Sequence, residues 1–600
     1  MRPLSLFLLT MCCAATARGG DPAVEFFESR VRPLLVDKCQ SCHGEKKHFG
    51  GLRLDSRAAV LKGGDTGPAA TPGKPDDSLL VRAVRRSGEL KMPPKEPLAD
   101  DQVAILTQWV GMGLPWPEAA PKKGVADPAA QHWAFRPVAA VRPPGPGHPI
   151  DAFIDARLKA EGLTRNPPAD PRTLVRRMTL DLHGLPPAPG EVEAFCQAYA
   201  ADPETATRAL VDRLLASPRY GERWGRLWLD IARYADTKGY VFQEERRYPY
   251  AYTYRDYVIR SFNEDKPFDR FVKEQLAADL LDSGGDRRSL AALGFLTVGR
   301  RFLNNPHDII DDRIDVISRG FMGLTVSCAR CHDHKYDPIP ITDYYSLYGV
   351  LASVHEPKEL PLIEEPRATE EYQKFQTELA KREATVDDAL RKLLERNAHL
   401  SRLTFVTGGP TPGLSTVIAL AAPGPAYDRD TALKQIGRAD RDRIRQLQNQ
   451  VEKFKATSPN APARAMVVAE NAQPFQPVVF NRGNPGNRGV GVPRQFLAVL
   501  APDRKPFARG SGRLDLADAI VSPGNPLTAR VFVNRVWAWR FGTGLVTTPS
   551  DFGVRSDPPS HPELLDWLAD RFVKDGWSVK QLHRLMLLSG TYRQASAHRP

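Results

Sequence analysis

Cys39-Gln40-Ser41-Cys42-His43 and Cys328-Ala329-Arg330-Cys331-His332 carry one pentapeptide pattern, Cys-x-x-Cys-His, at two distant places in the chain. The spacing suits covalent attachment of haem c: two thiols form thioethers to the porphyrin, and the adjacent imidazole binds iron from one face. The chain holds seven cysteines, and the other three are Cys12, Cys13 and Cys196. If Cys12 and Cys13 leave with a leader, four of the five that remain lie in the motifs. Cys39, Cys42, Cys328 and Cys331 are the candidate attachment thiols, and His43 and His332 the candidate iron ligands. One or two haems per chain are expected.

The first residues have the pattern of a secretory leader over 1–17. Arg2 gives the positive start, Leu4 to Cys13 is a short apolar run, and Ala15-Thr16-Ala17 supplies the small residues of a cleavage site. A membrane span needs about 20 apolar residues, and the sequence offers no such run. The reading is an exported protein of the periplasm or cell envelope without an integral membrane segment. The formal charge of +12 comes from basic residues spread along the chain, not from a patch interleaved with aromatics. That argues against nucleic acid and for acidic partners or an anionic envelope.

Six hundred residues, 42% of them apolar, imply several packed domains. The expected class is mainly α. Residues 22–118 plan a small cytochrome c fold. Phe26, Phe27, Val31, Leu34 and Leu35 mark an entry helix in which Pro33 makes a kink, and Val103, Leu106, Trp109 and Val110 a closing helix that starts at Asp100 or Asp101. A proline-rich linker covers 119–149, with His132-Trp133-Ala134-Phe135 as a docking strap. Residues 150–357 form a large helical domain holding the second motif. Residues 358–464 read as a helical arm with a short β-like tip, without sustained heptads. Residues 465–600 form a last, helical domain, with strands expected at Ala465–Val468 and Pro477–Phe480. It stops inside a helical pattern and reads as cut short.

Met92, in Lys91-Met92-Pro93-Pro94 and 49 residues after His43, is the candidate sixth ligand of the first iron. A thioether opposite imidazole favours Fe(II). His48 is too near His43 to reach the opposite face. Lys46, Lys47, Lys91 and Lys95 could steer an acidic redox partner. The second motif leaves three readings open. It could hold haem, with His307, Met322 or His355 opposite His332. It could hold zinc through Cys328, Cys331, His332 and His334. It could also close a Cys328–Cys331 disulfide. Asp308, Asp311, Asp312 and Asp315 share a helical face just upstream, to bind a cation or to pair with arginines such as Arg313 and Arg319. Cys196 reads as a buried free thiol.

The chain resembles the planctomycete multidomain cytochrome c proteins, in which a small cytochrome c domain precedes two large domains of unknown function. The resemblance rests on Cys39–Gly44, Gly50–Ser56, Met92-Pro93-Pro94 and Trp109–Trp116. It continues in Asp181–Pro187, Ser217–Trp224 and Cys328–Ile339. In the last domain it covers Asn525–Val531, Asn534–Trp537, Asp551-Phe552-Gly553 and Ser560–Trp567. It implies haem binding and electron transfer in the cell envelope, and leaves the substrate unassigned. Two rival functions remain: a haem-coupled enzyme acting on a polymer or small oxidant, and a scaffold in which the second motif is a zinc or disulfide staple. Replacing Met92 by Ala should remove a near-infrared sulfur-to-iron band; an unchanged spectrum excludes Met92 as the ligand.

Overall fold

The computed structural model describes residues 22–44, 47–116, 132–237, 248–282, 284–396, 403–406, 417–420 and 437–596. The leader with Cys12 and Cys13, Lys46, the first part of the proline-rich linker, most of the arm's tip and the last four residues lie outside them. The fold is 56% helix and 4% strand. The chain divides into two compact units, Met1–Val125 and Ala126–Pro600. The second takes together the stretches that the sequence reading divided into a middle domain, an arm and a last domain.

In the first unit the entry helix runs through Pro22–Phe26, a π-helical turn at Phe27–Val31, and Arg32–Lys38. Pro33 follows directly on the π-helical turn, the kind of irregularity that goes with a proline inside a helix. Asp100–Gly111 closes the unit. Phe27 packs on Trp116 at 4.3 Å and on Trp109 at 5.7 Å, and the Trp109 indole donates to the Pro115 carbonyl. These rings, with Val31, Leu35 and Leu106, form the core.

Proline punctuates the second unit. Seven of its helices open on proline: Pro149–Ala160, Pro171–His183, Pro189–Ala201, Pro203–Ala216, Pro218–Ile231, Pro306–Ile317 and Pro562–Lys574. In four of these, Asp170, Asp202, Ser217 or Asn305 stands just before the proline and accepts from an amide of the first turn. A capping oxygen and a preset φ thus start the helix together.

Trp228 is fully buried at the centre of the core, 5.1 Å from Phe271 and 5.8 Å from Phe321. Its indole donates to Gln275, which also accepts from Tyr254. Phe268 stacks at 3.8 Å on Phe532, so residues 150–357 and 465–600 share one hydrophobic core. The strap residues Ala134 and Phe135 are buried in it, and Trp133 meets Phe552 at 5.5 Å. The arm is a helix pair, Glu370–Arg396 and Arg438–Thr457. Phe375 near the start of one meets Phe454 near the end of the other at 5.3 Å, which makes the pair antiparallel.

Three two-stranded antiparallel sheets complete the described residues. Val354–His355 pairs with Ala469–Glu470, Leu403–Val406 with Val417–Leu420, and Val478–Phe480 with Arg488–Gly491. Ala465–Val468, expected as a strand, is buried chain without a ladder, and the strand begins at Ala469. Cys196 is half-buried, not buried. No helix among the described residues is long and apolar enough to cross a membrane.

Four arginines of residues 512–600 are buried. Arg513 bonds Asp279 at 2.8 Å and Glu470 at 2.6 Å, and Arg530 grips Asp566 and the carbonyls of Ala134 and Arg136. Arg535 meets no carboxylate among the described residues and donates to the carbonyls of Arg319 and Gly320. Burial pushes its guanidinium down to about 10. Arg540 joins Asp181 and His583, each at 2.5 Å.

His583 is fully buried against Trp224, with ring centroids 4.0 Å apart. Burial, with the Arg540 charge beside it, holds its pKa well below the usual imidazole range. The native state therefore keeps His583 neutral, while the unfolded chain takes up the proton as pH falls below about 6.5. Stability should decline with falling pH from there, by up to about 1.4 kcal/mol per pH unit. Asp181 acts in the opposite sense in more acid solution, since burial raises its carboxyl against the pull of Arg540. His583→Gln keeps an oxygen for Arg540 and does not titrate. Denaturant unfolding read by tryptophan fluorescence should show a flatter pH slope in the variant; an equal slope excludes His583 as its source.

Candidate functional site

The first motif begins where the entry helix ends. Cys39 caps Arg32–Lys38, and the amides of Cys42 and His43 both bond the Cys39 carbonyl, which winds the motif into one tight turn. The Leu54 amide bonds the His43 carbonyl at 2.8 Å, and the Gln40 side chain bonds the Leu54 carbonyl at 3.0 Å. Cys39 belongs to the core, and burial pushes its thiol up to about 11. Cys42 and His43 are half-buried. The Nδ1 of His43 is buried without a partner among the described residues. His48 pairs with His43 across a β-bridge, on the same turn.

Met92 is half-buried. Its loop is tied to the helix Leu79–Val84 by the Met92 amide on Ala83 and to Arg86, which donates to the Pro93 carbonyl. Lys47, Lys91 and Lys95 are exposed. Phe49, 64% exposed, also flanks the motif, its amide bonded to the Cys42 carbonyl. Sequence reasoning passed over Phe49, because a lone aromatic beside a motif has no periodicity to mark it.

The second motif sits on a helical turn, Val326–Arg330. Cys328, Cys331 and His332 are exposed, while Ala329 is buried and fixes the turn to the core. Arg330 is the tether: it bonds Asp308 at 2.8 Å and approaches Asp311 at 3.5 Å. Tyr344 donates to Asp311, and Tyr345 to the Arg330 carbonyl. Burial raises the Asp311 carboxyl, and these donors oppose the shift. The acidic row resolves into pairs, since Asp312 bonds Arg233 and Asp315 bonds Arg319, while Arg313 turns to Glu356.

Two imidazoles in this loop have opposite fates. His332 Nδ1 lies 2.6 Å from the Asp333 carbonyl, which can only accept. The proton therefore sits on Nδ1, and the lone pair of Nε2 is free for a metal, as ligating histidines require. His334 Nδ1 accepts from the amides of Tyr336 and Asp337, so its Nε2 carries the hydrogen, facing Thr325 at 2.9 Å. Both nitrogens of His334 are thus committed, which removes it from the expected zinc set. Cys328 and Cys331 are free thiols, and no group of three or more His, Cys, Asp or Glu among the described residues is arranged to hold a metal ion.

The expected distal candidates differ in what their contacts leave free. Met322 is fully buried in the core, His307 Nδ1 meets the Tyr348 hydroxyl at 2.7 Å, and His355 Nδ1 meets Asn471 at 2.9 Å. The residues that hold the second loop come from far along the chain. Phe552 donates its amide to the Gly323 carbonyl, and Val554 to the buried Asp337 carboxylate, both at 2.7 Å. Gly553 must be glycine, because a Cβ there would stand 2.4 Å from Asp337. Gly483, at φ +70°, lies against the Cys331 sulfur, where a Cβ would approach to 2.7 Å.

Comparison with known families assigns three stretches. Residues 39–96 match the model described as Planctomycete cytochrome C. Residues 149–356 match a protein of unknown function, DUF1549, and residues 512–600 another, DUF1553. This is the domain arrangement of the planctomycete multidomain cytochrome c proteins. The match over residues 39–96 makes this a cytochrome c-like, haem-binding protein. No curated protein and no solved structure matches it. The second motif falls in the DUF1549 match, and the residues 552–554 that grip it fall in the DUF1553 match.

The tether at Arg330 makes a local prediction. A charge-assisted hydrogen bond contributes about 1.5–3 kcal/mol, so Arg330→Met should free the motif from its helix. Amide hydrogen exchange over 325–337 should then accelerate roughly tenfold or more, with the remaining core unchanged. Unaltered exchange in that loop would show that Arg330 does not hold it.

Proposed function

We propose that this protein is an exported c-type cytochrome that transfers electrons in the cell envelope, with haem c at the first motif and a second at Cys328 and Cys331. The observation that carries the second site is the His332 imidazole, held by the Asp333 carbonyl with Nε2 free beside two free, exposed thiols. The first site is supported by the Planctomycete cytochrome C match, which includes Cys39, Cys42, His43 and Met92. A bound haem c supplies reversible one-electron exchange at iron.

The chain's own residues do the rest. Cys39, Cys42, Cys328 and Cys331 fix the group by thioethers. His43 and Met92 would hold the iron of the first group, and His332 that of the second. Arg330, Asp337 and Val554 keep the second loop in place, and exposed Lys47, Lys91 and Lys95 give the first unit a positive face for an acidic partner.

One observation favours an enzymatic second reading. Met322 is fully buried in the core, while His307 and His355 are bonded through Nδ1 to Tyr348 and Asn471; an iron that neither imidazole reached would keep an open position. Such a site admits a small oxidant. Carbon monoxide or cyanide binding at one of two haems would favour this reading.

The deciding measurement is haem stoichiometry by pyridine haemochrome, on protein from a host that matures c-type cytochromes. Two haems per chain are expected, falling to one in the Cys328→Ala/Cys331→Ala variant. One haem in both proteins would overturn the second site and leave the first.

A further inference from the structure

The second motif is flanked by cations that pair with no carboxylate among the described residues. Lys335 follows His332 by three residues, and Arg555 comes from the turn between the helices Leu527–Phe541 and Pro562–Lys574. Both stand over the ring of Tyr336, at 5.3 and 4.9 Å, and Tyr336 is itself 44% exposed. On another side lies the hairpin of Val478–Phe480 and Arg488–Gly491. Its turn presses Gly483 against the Cys331 sulfur and exposes the neighbouring Arg482. Arg488 is exposed opposite Phe480, and Val490 beyond it is 67% exposed.

Among the described residues Lys335, Arg482, Arg488 and Arg555 form no ion pair, although most arginines elsewhere in this unit do. The acidic groups nearby are occupied. Asp308 is bonded by Arg330, Asp333 accepts from the Ile341 amide, Asp337 from Val554, and Asp551 from the Gly553 amide. Asp333, Asp337 and Asp551 keep their charge, since an amide donor does not neutralise a carboxylate, but among the described residues none of them pairs with these four cations.

We propose that Lys335, Arg482, Arg488 and Arg555, together with the exposed Tyr336 and Val490, form the docking surface for an acidic redox protein that meets the chain at its second Cys-x-x-Cys-His motif. The redox part rests on the proposed function; the surface does not. Spaced cations around an exposed tyrosine and an exposed apolar strand suit a protein face, where a few hydrophobic contacts sit inside a charged rim. A lipid surface or a nucleic acid backbone would ask for a denser basic array without that apolar centre. The strand Arg488–Gly491 also has one free edge, which can pair with an extended segment of a partner.

The test uses the full-length, haem-loaded protein and flavodoxin, a small acidic redox protein, as the probe. Binding is measured by calorimetry at low and at moderate ionic strength. One variant reverses the patch, Arg482→Glu/Arg488→Glu/Arg555→Glu. The control reverses as many charges on the exposed face of the arm, Arg443→Glu/Arg445→Glu/Lys453→Glu. Wild type should bind more weakly as salt rises, the patch variant should lose roughly tenfold or more in affinity at low salt, and the control should stay within about twofold. Equal losses in both variants would reduce the effect to net charge and overturn the proposal, as would an undiminished patch variant. Tighter binding of phosphatidylglycerol vesicles or of a DNA oligonucleotide, lost in the same variant, would also overturn it. Haem is counted on the same samples. One haem with flavodoxin binding lost in the patch variant keeps the surface and removes the redox reading; two haems with binding unaffected removes the surface alone.

Discussion

The architecture of the large unit depends on buried arginine. Arg513, Arg530, Arg535 and Arg540 reach from the last ninety or so residues into helices, strap and strand laid down much earlier in the chain. A buried guanidinium is tolerated only when its donors are satisfied, and removing one partner strands a charge in a medium that cannot solvate it. Each clamp therefore specifies a unique docking geometry more than it adds stability. Apolar contacts such as Phe268 on Phe532 supply the driving force, and they would accept several registers. The arginines accept one.

The consequence reaches the second motif directly. Arg535 caps the carbonyls of Arg319 and Gly320, the chain turns at Gly323 in the left-handed region, and the motif's helical turn follows at once. Phe552 and Val554 then hold the two ends of the loop at Gly323 and Asp337. The first motif is organised in the opposite way. Its contacts come from within a few dozen residues, and its unit closes on a core of its own. One motif is a self-contained module; the other is an exposed loop aimed by a scaffold of several hundred residues.

Much of this was legible in sequence, for physical reasons. Helices declare themselves through periodicity and through punctuation, so Pro171–His183 and Pro203–Ala216 could be read from apolar spacing, and their starts are marked by an Asp-Pro pair. The pairing of the acidic row with arginines was legible in part: Arg319 bonds Asp315 as expected, while Arg313 serves Glu356 instead. The fate of His334 was invisible, because it depends on a backbone turn that brings two amides onto one ring nitrogen. Gly483 and Val554 were missed for the same reason. Their importance lies in contacts across more than a hundred residues of chain, and one sequence carries no record of which distant residues touch.

The two histidines of the second loop show how the scaffold sorts chemistry. His332 and His334 are separated by one residue and are equal as imidazoles, yet one is exposed with a free Nε2 and the other is locked by three hydrogen bonds. The locked ring holds Thr325 against Asp337, and so joins the start of the loop to its end. That closure lets the intervening Cys328, Cys331 and His332 stand in solvent without the loop collapsing onto the core. The proposed docking surface follows from this arrangement: a rigid frame presents the motif to solvent, and the unpaired cations beside it would favour an acidic visitor.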